Sequence, residues 1–319
     1  MKEPSVAIII INWNCFDYTH ECLVSLEKLD YAAAEVILVD NASTDDSLLK
    51  LKREHPNLHF VQNDENLGFT GGNNSGIKYA LEKGFEYLLL LNNDTIVQPD
   101  FLSVLIQSID NKAEFAAAQP KIFYNHDRNM LWHAGGIYFG IFSRPWVVGY
   151  RRKDKARYNK QKEVDWITGC AFLVKSNVVR EIGATSELFF YGCYDDVEWS
   201  LRMRDAGYKL LYCPQSVIYH AVTVASKNKS VEKEGLLKPY FHYLVSRNHW
   251  ILLRLRSRNV YRITSYFYQF IKFIAYTVYF IIRNRPTKLK AYLHGFIHGI
   301  TKPLSSKELN HKYYIQQYR

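Results

Sequence analysis

The sequence predicts an α/β protein with a doubly wound, mixed sheet and a C-terminal tail of amphipathic helix. Apolar segments typical of strands alternate with amphipathic helical segments from residue 6 to residue 91. Such a βαβαβαβ series implies right-handed crossovers and parallel strand pairing. Aromatic stretches without that alternation follow and indicate a more irregular, antiparallel part. With 319 residues, 48% of them hydrophobic, the chain can bury a sizeable core.

The predicted elements follow one another in a regular order. We predict strands at 6–12, 35–40, 58–62 and 87–91, and helices at 18–29, 47–54 and 73–83. The fourth strand contains four consecutive leucines, which is typical of a strand buried on both faces of a sheet. Aromatic stretches then surround Trp132, Trp146 and Trp166. A helix at 195–206 and a strand within 210–220 complete this part of the chain.

The basic charge of the chain lies near its C-terminus. The net charge at pH 7 is +10, from 41 Lys and Arg and 31 Asp and Glu. Residues 241–319 contain 14 of the basic residues and one of the acids, so residues 1–240 hold 27 basic and 30 acidic residues and carry a charge of −3. We therefore divide the chain into a body, 1–240, and a basic, aromatic, helical tail, 241–319.

The tail contains a long apolar and aromatic segment at 266–282. Gln269 and Lys272 are its strongly polar interruptions, and Arg and Lys residues flank it on both sides. The apolar run is slightly shorter than the about 20 residues that a spanning helix needs. We therefore predict a helix that lies on a membrane surface, held by tyrosines and basic residues. The alternative is a helix packed on the body of the chain or on another subunit.

The location of the protein is predicted from its cysteines and its N-terminus. The five cysteines are scattered, without a CxxC pair, which is typical of reduced thiols in the cytoplasm. The N-terminal segment is too short and too lightly charged for a signal peptide. The apolar interior of the tail and the acidic body argue against nucleic-acid binding. We expect a cytoplasmic protein, peripheral on the inner face of the cell membrane, and the sequence leaves its oligomeric state open.

Polar residues follow two predicted strands where those strands end. Asn92, Asn93 and Asp94 follow the leucine strand, and Asp40 and Asn41 end the second strand. Ligands of open α/β sheets bind outside the carboxyl ends of the strands. A carboxylate with amide oxygens suits a hard cation, and a carboxylate can also accept a hydrogen bond from a nucleobase or a ribose hydroxyl. A polar turn and a capping loop are the alternative explanations.

The segment 66–76 is rich in glycine and asparagine. Its glycines permit positive φ and a close approach of the backbone to a ligand. The spacing of these glycines differs from that of a dinucleotide-binding fingerprint, and the segment follows the third strand rather than the first. This excludes a dehydrogenase.

Two adjacent carboxylates begin the predicted helix at 195–206. Asp195 and Asp196 also complement the helix dipole, which is the alternative reason for acids in a first turn. Repulsion between them is expected to raise the pKa of one, and the sequence does not say which. His220 ends the last predicted strand, and a lone histidine is usually structural.

Taken together, these segments resemble the family 2 glycosyltransferases with the GT-A fold, in the rhamnosyltransferase-like and galactofuranosyltransferase-like branch. The resemblance covers residues 5–248. It rests on Val-Asp-Asn-Ala-Ser-Thr-Asp at 39–45, Asn-Leu-Gly-Phe at 66–69, Gly-Gly-Asn-Asn-Ser-Gly at 71–76, Leu-Leu-Asn-Asn-Asp at 90–94, Gly-Cys-Ala-Phe-Leu-Val at 169–174, Asp-Asp-Val-Glu-Trp-Ser-Leu-Arg at 195–202, His220 and Ser-Arg-Asn at 246–248. It implies that residues 1–240 are the catalytic domain of an inverting, metal-dependent enzyme. The donor would be a nucleotide sugar such as dTDP-rhamnose, and the acceptor a hydroxyl of a lipid-linked or cell-surface glycan.

The resemblance also implies a role for each candidate residue. Asp94 and His220 would bind Mn²⁺ or Mg²⁺, and Asp196 would be the general base with Asp195 beside it. The donor-binding residues would be Asn12, Asn14, Asp40, Asn41, Asn66, Gly68, Gly71, Asn73, Asn92 and Asn93. The acceptor-binding residues would be Trp166, Gly169 and Cys170.

Three departures from the family pattern matter for this assignment. Asn92 stands where many relatives carry the first acid of the metal-binding motif, and Gly-Ala-Thr-Ser-Glu at 183–187 replaces their Gly-Gly-Phe-Asp-Glu. Asp195-Asp196 stands where they commonly have Glu-Asp. The loss of an acid at position 92 favours, as an alternative function, a non-catalytic protein that binds nucleotide sugars or saccharides.

Overall fold

The computed structural model describes residues 3–222, 237–257 and 259–305. Its strands are β1 Val6–Asn12, β2 Ala34–Asp40, β3 His59–Gln62, β4 Tyr87–Leu91, β5 Thr95–Val97, β6 Phe115–Tyr124, β7 Met130–His133, β8 Gly136–Phe139, β9 Arg144–Val147, β10 Arg152–Lys153, β11 Lys162–Val164, β12 Ala171–Lys175 and β13 Lys209–His220. Its α-helices are α1 Phe16–Leu26, α2 Ser47–Glu54, α3 Gly68–Lys83, α4 Phe101–Ile109, α5 Ser176–Ile182, α6 Asp195–Asp205, α7 Pro239–Arg256, α8 Arg262–Ile282 and α9 Pro286–Thr301.

Within these residues eleven strands form one mixed sheet, and β8 and β9 form a separate hairpin. Strands β3, β2, β1 and β4 are neighbours and run parallel. Strand β12 then pairs antiparallel with both β4 and β6. The predicted α/β fold with a doubly wound, mixed sheet is confirmed, and the antiparallel part lies where the regular alternation of the sequence stops.

Both faces of the sheet are covered, because the side chains of a strand alternate between its faces. On one face Ile8 and Ile10 of β1 pack with Leu23 of α1 and with α4. On the other face Ile9 packs with Ile77 of α3 and with α5 and α6. The ends of β1 and β2 therefore open on one edge, with helices on either side.

Helix α3 begins earlier than predicted, at Gly68 rather than at residue 73. Gly68 has φ +71°, but Gly71, Gly72 and Gly76 lie inside the helix. A Cβ on Gly76 would lie 2.4 Å from Ile9 Cγ2, so this position must be glycine for α3 to pack against β1. The glycines were predicted to allow a ligand close to the backbone; at this position the close neighbour is the sheet.

The long strand β13 connects the antiparallel part to the end of β4. It pairs with β6 along most of its length and with the three-residue strand β5 at its end. In this register His220 pairs with Thr95, the residue that follows Asp94. The backbone N–H of Ala221 also donates to the carbonyl of Asp94, at 2.9 Å.

Three helices form the described part of the tail, and the first of them, α7, belongs to the core. Ile251 and Leu252 of α7 are buried with Phe189 and Val197 of the body. Helix α9 packs closely on α7 because it carries Gly295 and Gly299, where a Cβ would lie 2.3 and 2.7 Å from α7 carbonyl oxygens. The predicted boundary at residue 240 lies at the beginning of α7.

The predicted surface helix at 266–282 is part of α8. Among the helices of the described chain, none combines the length and the apolar character needed to cross a bilayer. The remainder of the predicted tail, residues 306–319, lies outside the described residues.

Candidate active site

A cavity of about 500 Å³ opens where β1, β2 and β4 end, and we call it the strand-end cavity. Its lining includes seven of the predicted site residues, namely Asn41, Asn66, Gly68, Asn73, Asn92, Asn93 and Asp94. Trp13, Phe69 and Tyr191 add aromatic surface, and Lys238 contributes a cation. The predicted donor-binding residues therefore largely share one cavity, although Asn12, Asn14, Asp40 and Gly71 do not line it.

Asn12 and Asp40 lie beneath this cavity and hydrogen-bond to each other. They are neighbours in the register of β1 and β2, and both are buried. Asn12 Nδ2 donates to Asp40 Oδ1 at 3.1 Å, while Ser43 donates to Asp40 through its backbone N–H at 3.0 Å and its hydroxyl at 2.6 Å. Both oxygens of the Asp40 carboxylate thus accept hydrogen bonds from the chain itself; they hold the loop at Ser43 and do not cap α2, whose N-cap residue is Asp46.

Asn14 and Asn41 hold loops around the cavity. Asn14 has φ +50°, and its Oδ1 accepts from the backbone N–H of Thr44 at 2.7 Å. Asn41 Nδ2 donates to the carbonyl of Gly68 at 2.9 Å, and its Oδ1 accepts from the N–H of Leu67 at 3.0 Å. These amides fix the two loops that border the cavity.

Asp94, His220 and Asn92 come together at the end of β4. His220 Nε2 lies 2.9 Å from Asp94 Oδ1 and 3.4 Å from Asn92 Nδ2. The side chains of Asp94 and His220 are nearly buried, with 9% and 7% of their surfaces exposed. The register of β13 against β5 produces this meeting of residues that are far apart in the sequence.

The same group has the chemistry of a site for Mn²⁺ or Mg²⁺. Asn92 Oδ1 is buried and has no hydrogen-bond partner among the described residues. A carboxylate oxygen, an amide oxygen and an imidazole nitrogen form a donor set that these ions accept. Within the described residues no three His, Cys, Asp or Glu side chains cluster as a metal site would require, so a metal ion at Asp94 and His220 would take Asn92 Oδ1 as its third protein ligand.

A second cavity, of about 310 Å³, contains Asp196, and we call it the aromatic cavity. It is lined by Trp132, His133, Pro145, Val147, Tyr150, Trp166, Thr168, Cys193, Tyr194, Asp196, Val197 and Val245. Burial lowers the pKa of His133 to about 3, so this histidine is neutral. Asp196 therefore contributes the one carboxyl group to a lining that is otherwise aromatic, apolar or neutral.

Of the three predicted acceptor-binding residues, one lines the aromatic cavity and two lie behind its lining. Trp166 lines the aromatic cavity. Gly169 is buried, and its N–H donates to Asp196 Oδ2 at 3.0 Å. Cys170 is also buried, and its carbonyl accepts from the N–H of Asn92 at 2.9 Å. Gly169 and Cys170 thus connect the two carboxylate sites through the backbone, and neither lines the cavity.

The two adjacent carboxylates differ in their surroundings. Burial raises the pKa of Asp195 well above its usual range, and the charge of Asp196 raises it further. Burial also raises the pKa of Asp196, but the N–H groups of Gly169 and Val197 oppose this shift by donating to its carboxylate. Asp195 is therefore the better site for a shared proton, and Asp196 the better anion.

A strained turn leads into these carboxylates. Gly192, Cys193 and Tyr194 are consecutive and have φ of +84°, +69° and +75°, although left-handed backbone is costly for residues other than glycine. Asn248 of α7, fully buried, donates from Nδ2 to the carbonyls of Gly192 at 2.9 Å and Cys193 at 3.1 Å. Arg247 Nη1 donates to Asn248 Oδ1 at 2.5 Å and so orients this amide.

Sequence reasoning missed the roles of Trp132 and Asn248. Trp132 lines the aromatic cavity and meets the His220 ring edge-on, with 4.5 Å between centroids. In the sequence Trp132 marks only an aromatic stretch. Asn248 belongs to the Ser-Arg-Asn segment that carries the family resemblance, but its contact with the turn depends on the packing of α7.

Comparison with known proteins identifies a family and several relatives. A family model described as glycosyl transferase family 2 matches residues 7–183, more than half of the chain. The rhamnosyltransferase WbbL of Escherichia coli K12 is 28% identical over 278 residues, which cover 82% of this chain and 99% of WbbL. The N-acetylglucosaminyl-diphospho-decaprenol L-rhamnosyltransferase of Mycobacterium tuberculosis is 22% identical over 232 residues, 67% of this chain and 75% of its own. The dTDP-rhamnosyl transferase RfbF of Shigella flexneri is 26% identical over 224 residues, 69% of this chain and 70% of its own.

Two solved structures share the fold. The mannosyltransferase PcManGT of Pyrobaculum calidifontis, in complex with GDP-Man and Mn²⁺, has a TM-score of 0.57 at 14% identity, covering 100% of this chain and 82% of that one. TarS of S. aureus, in complex with UDP-GlcNAc, has a TM-score of 0.54 at 16% identity, covering 94% of this chain and 82% of that one.

Proposed function

The chain belongs to glycosyl transferase family 2 and has the GT-A fold, and from this premise we propose an inverting, metal-dependent mechanism for it. It is a glycosyltransferase. We infer that it takes a nucleotide-sugar donor, such as dTDP-rhamnose, and transfers the sugar to a hydroxyl of a lipid-linked or cell-surface glycan. The relatives named for rhamnosyl transfer, one of them to a diphospho-decaprenol acceptor, support this choice of donor and acceptor.

The donor lies in the strand-end cavity in this proposal. The asparagine amides that line the cavity, together with the backbone around Gly68, offer donors and acceptors to the nucleotide and the sugar. Asp94, His220 and Asn92 Oδ1 would hold the metal ion. Mn²⁺ or Mg²⁺, when bound, offsets the negative charge that develops on the leaving diphosphate. Asp40, beneath the cavity, either accepts a hydrogen bond from the nucleobase or holds the loop around Ser43.

The acceptor enters the aromatic cavity in this proposal. Trp132 and Trp166 give an apolar platform on which the ring of a sugar can lie, and the neutral His133 leaves the pocket without a cation. The acceptor hydroxyl then donates to Asp196. As the new glycosidic bond forms and the bond to the diphosphate breaks, Asp196 takes the proton of this hydroxyl as general base. Asp195 keeps its own proton, so that Asp196 remains ionised.

The observation that carries this function is the pair of cavities on the two sides of Gly169. The N–H of Gly169 donates to Asp196, and the next residue accepts from the N–H of Asn92. A Cβ on Gly169 would lie 3.4 Å from the ring of Phe69, which lines the strand-end cavity. A donor on one side and an acceptor on the other approach from opposite directions, which favours a single displacement with inversion.

The decisive experiment is a screen of nucleotide sugars for turnover with and without Mn²⁺. We expect one donor to be hydrolysed slowly by itself and transferred rapidly when a glycan acceptor is present, with inverted anomeric configuration by NMR. Asp196→Asn serves as the matched variant, since it should bind the same donor without turnover. Retention of configuration, or turnover that EDTA leaves unchanged, would contradict the proposal.

The second candidate function is a non-catalytic protein that binds nucleotide sugars or saccharides. Asn92 in place of an acid and the internally bonded Asp40 carboxylate favour it. The same screen separates the two functions: calorimetric binding of a donor without any hydrolysis or transfer would support the binding protein.

We further propose that the enzyme works in the cytoplasm, peripheral on the inner face of the membrane. The surplus of basic residues after residue 240 supports this location, since each Lys or Arg near an anionic surface contributes about 1 kcal/mol. Sedimentation of the full chain with vesicles of anionic and neutral lipid, at low and high salt, tests it. Equal recovery with the two lipids would contradict it.

A further inference from the structure

Helix α8 leaves most of its apolar side chains exposed, while Ser265, Gln269 and Phe280 are buried on the side that faces the protein. The exposed side chains of one stripe along the helix are Ile263, Phe267, Phe270, Ile271, Ile274, Val278, Ile281 and Ile282. Their exposed fractions range from 46% at Val278 to 83% at Ile263. Ser265 and Gln269, on the opposite side, are buried.

The inward polar groups make contacts that hold this orientation. Ser265 Oγ lies 3.1 Å from Ser143 Oγ, next to the hairpin of β8 and β9. Lys272 Nζ lies 3.3 Å from Nδ1 of the buried His249, whose Nε2 donates to the carbonyl of Ser143 at 3.0 Å. A surface helix of a globular protein normally packs its apolar side chains on the core. In α8, Phe273 and Phe280 pack on α9, but the longer apolar stripe is exposed. The eight outward residues expose on the order of 800 Å², more than the ~300–600 Å² of the largest apolar patch on a typical monomer.

The β8–β9 hairpin adds a second exposed apolar surface beside α8. Ile137 and Trp146 are directly paired across the hairpin and are 39% and 48% exposed. Ile141 and Phe142, in the short helix between the two strands, are also exposed. Thr264 of α8 donates from Oγ1 to the carbonyl of Ile141 at 2.8 Å, so the hairpin and the helix are held together.

The charged side chains within the segments that form these surfaces are basic, and the acids beside the hairpin, Asp165 and Asp205, are paired with Arg204 and Arg256. The segments 241–305 and 136–153 contain Lys and Arg and no Asp or Glu. Arg262 begins α8, Arg283 follows it, and Arg144 lies on the outward side of the hairpin. A surface with this composition is complementary to an anionic bilayer. A second copy of the chain would bring like charges together, which disfavours a dimer through the same surface.

We propose that the outward stripe of α8 and the outward side of the β8–β9 hairpin form one docking surface for an anionic lipid bilayer. This surface would be the part of the protein that binds the membrane in the proposed function, and the inference rests on that function. The hairpin also connects that surface to the acceptor site. In β9, Arg144 and Trp146 are exposed, while Pro145 and Val147 alternate with them and line the aromatic cavity with Asp196. A glycan carried on a lipid in the same bilayer therefore reaches this cavity along the inner side of the hairpin.

The test uses the full chain, vesicles of phosphatidylglycerol and vesicles of phosphatidylcholine. Phe267→Glu with Ile271→Glu places two charges one turn apart on the outward stripe, and we expect vesicle binding to fall at least about tenfold. Leu49→Glu is the matched control, because Leu49 is a 73% exposed apolar residue on α2, outside the proposed surface. All three proteins should unfold at similar temperatures, since the substituted side chains are exposed.

The hairpin is tested by fluorescence quenching with brominated phosphatidylglycerol. We expect strong quenching of the wild type and a clearly smaller fractional quenching of Trp146→Phe, which keeps the other tryptophans. Equal quenching of the two proteins, or equal binding of the double variant and the wild type, overturns the docking surface. Neither measurement involves a sugar donor. A glycosyltransferase that turns over a water-soluble acceptor but does not bind vesicles would therefore disprove the surface and leave the proposed activity standing.

Discussion

Replacement of Asn248 by alanine should release the turn that positions Asp195 and Asp196, the proposed catalytic carboxylates. The amide of Asn248 donates to two consecutive buried carbonyls, those of Gly192 and Cys193. Each buried acceptor left without a partner costs about 1–3 kcal/mol, so for two acceptors we expect Asn248→Ala to lower the free energy of unfolding by about 2–6 kcal/mol. The turn before Asp196 should also relax out of its left-handed conformation.

The kinetic effect should fall on the chemical step. Asp196 would lose its fixed position, and general bases contribute about 10²–10⁴ to rate, so we expect kcat to fall by up to about 10². The KM for the donor should change little, because neither Asn248 nor the turn lines the strand-end cavity. Ser246→Ala is the control on the same helix, since Ser246 Oγ is buried without a hydrogen-bond partner among the described residues.

A second substitution distinguishes positioning from general destabilisation. Cys193 has φ +69°, and a residue other than glycine pays about 1–2 kcal/mol for left-handed backbone. Cys193→Gly in the Asn248→Ala background should therefore recover part of kcat, measured well below the unfolding temperature. If Asn248→Ala keeps the wild-type kcat and pH profile, or if the KM for the donor rises as much as kcat falls, the reasoning about the turn is refuted.

Other predictions follow from the carboxylates. Asp196→Asn should lower turnover by about 10² or more while calorimetry still detects donor binding, and near-normal turnover would assign the base to Asp195 instead. Asp94→Ala should abolish the stimulation by Mn²⁺, whereas unchanged activity and metal dependence would remove the metal assignment. The raised pKa of Asp196 predicts that kcat increases as pH rises through a value above the usual range of an aspartate. The pKa of Asp195 is raised in the folded state, so at pH values above the unfolded pKa the folded protein binds more protons than the unfolded protein. Stability should therefore fall as pH rises through the folded pKa. Asp195→Asn should reduce this dependence of stability on pH in denaturant titrations at several pH values.

The sequence predicts the parallel half of the sheet well because its strands are uninterrupted apolar runs. The predicted bounds of β1, α2 and β4 agree with the structure. Helix α3 was predicted five residues too short, since four glycines within nine residues argue against a helix by propensity. Packing against Ile9 overrides that propensity, and a local pattern does not contain this contact.

In the site, as in the fold, local features are predicted from the sequence and long-range contacts are not. Residues at the strand ends, such as Asn92 and Asp94, follow from the rule that ligands bind at the carboxyl edge. The meeting of Asp94 with His220 depends on the register of β13, and the orientation of Asn248 depends on where α7 packs. Long-range contacts of this kind are not encoded in any short segment, so sequence reasoning reached them only through the family resemblance or missed them.

The dependence of the strained turn at 192–194 on α7 limits how this protein can be shortened or combined with a relative. A fragment ending at residue 240 retains the family-matched residues 7–183 and both carboxylates, yet it lacks Asn248 and the apolar residues of α7 that close the core. We expect such a fragment to be inactive even with a water-soluble acceptor. A chimera with another C-terminal segment should therefore retain α7 up to Arg256, and the exchanged part should supply a helix that packs on α7 as α9 does through Gly295 and Gly299.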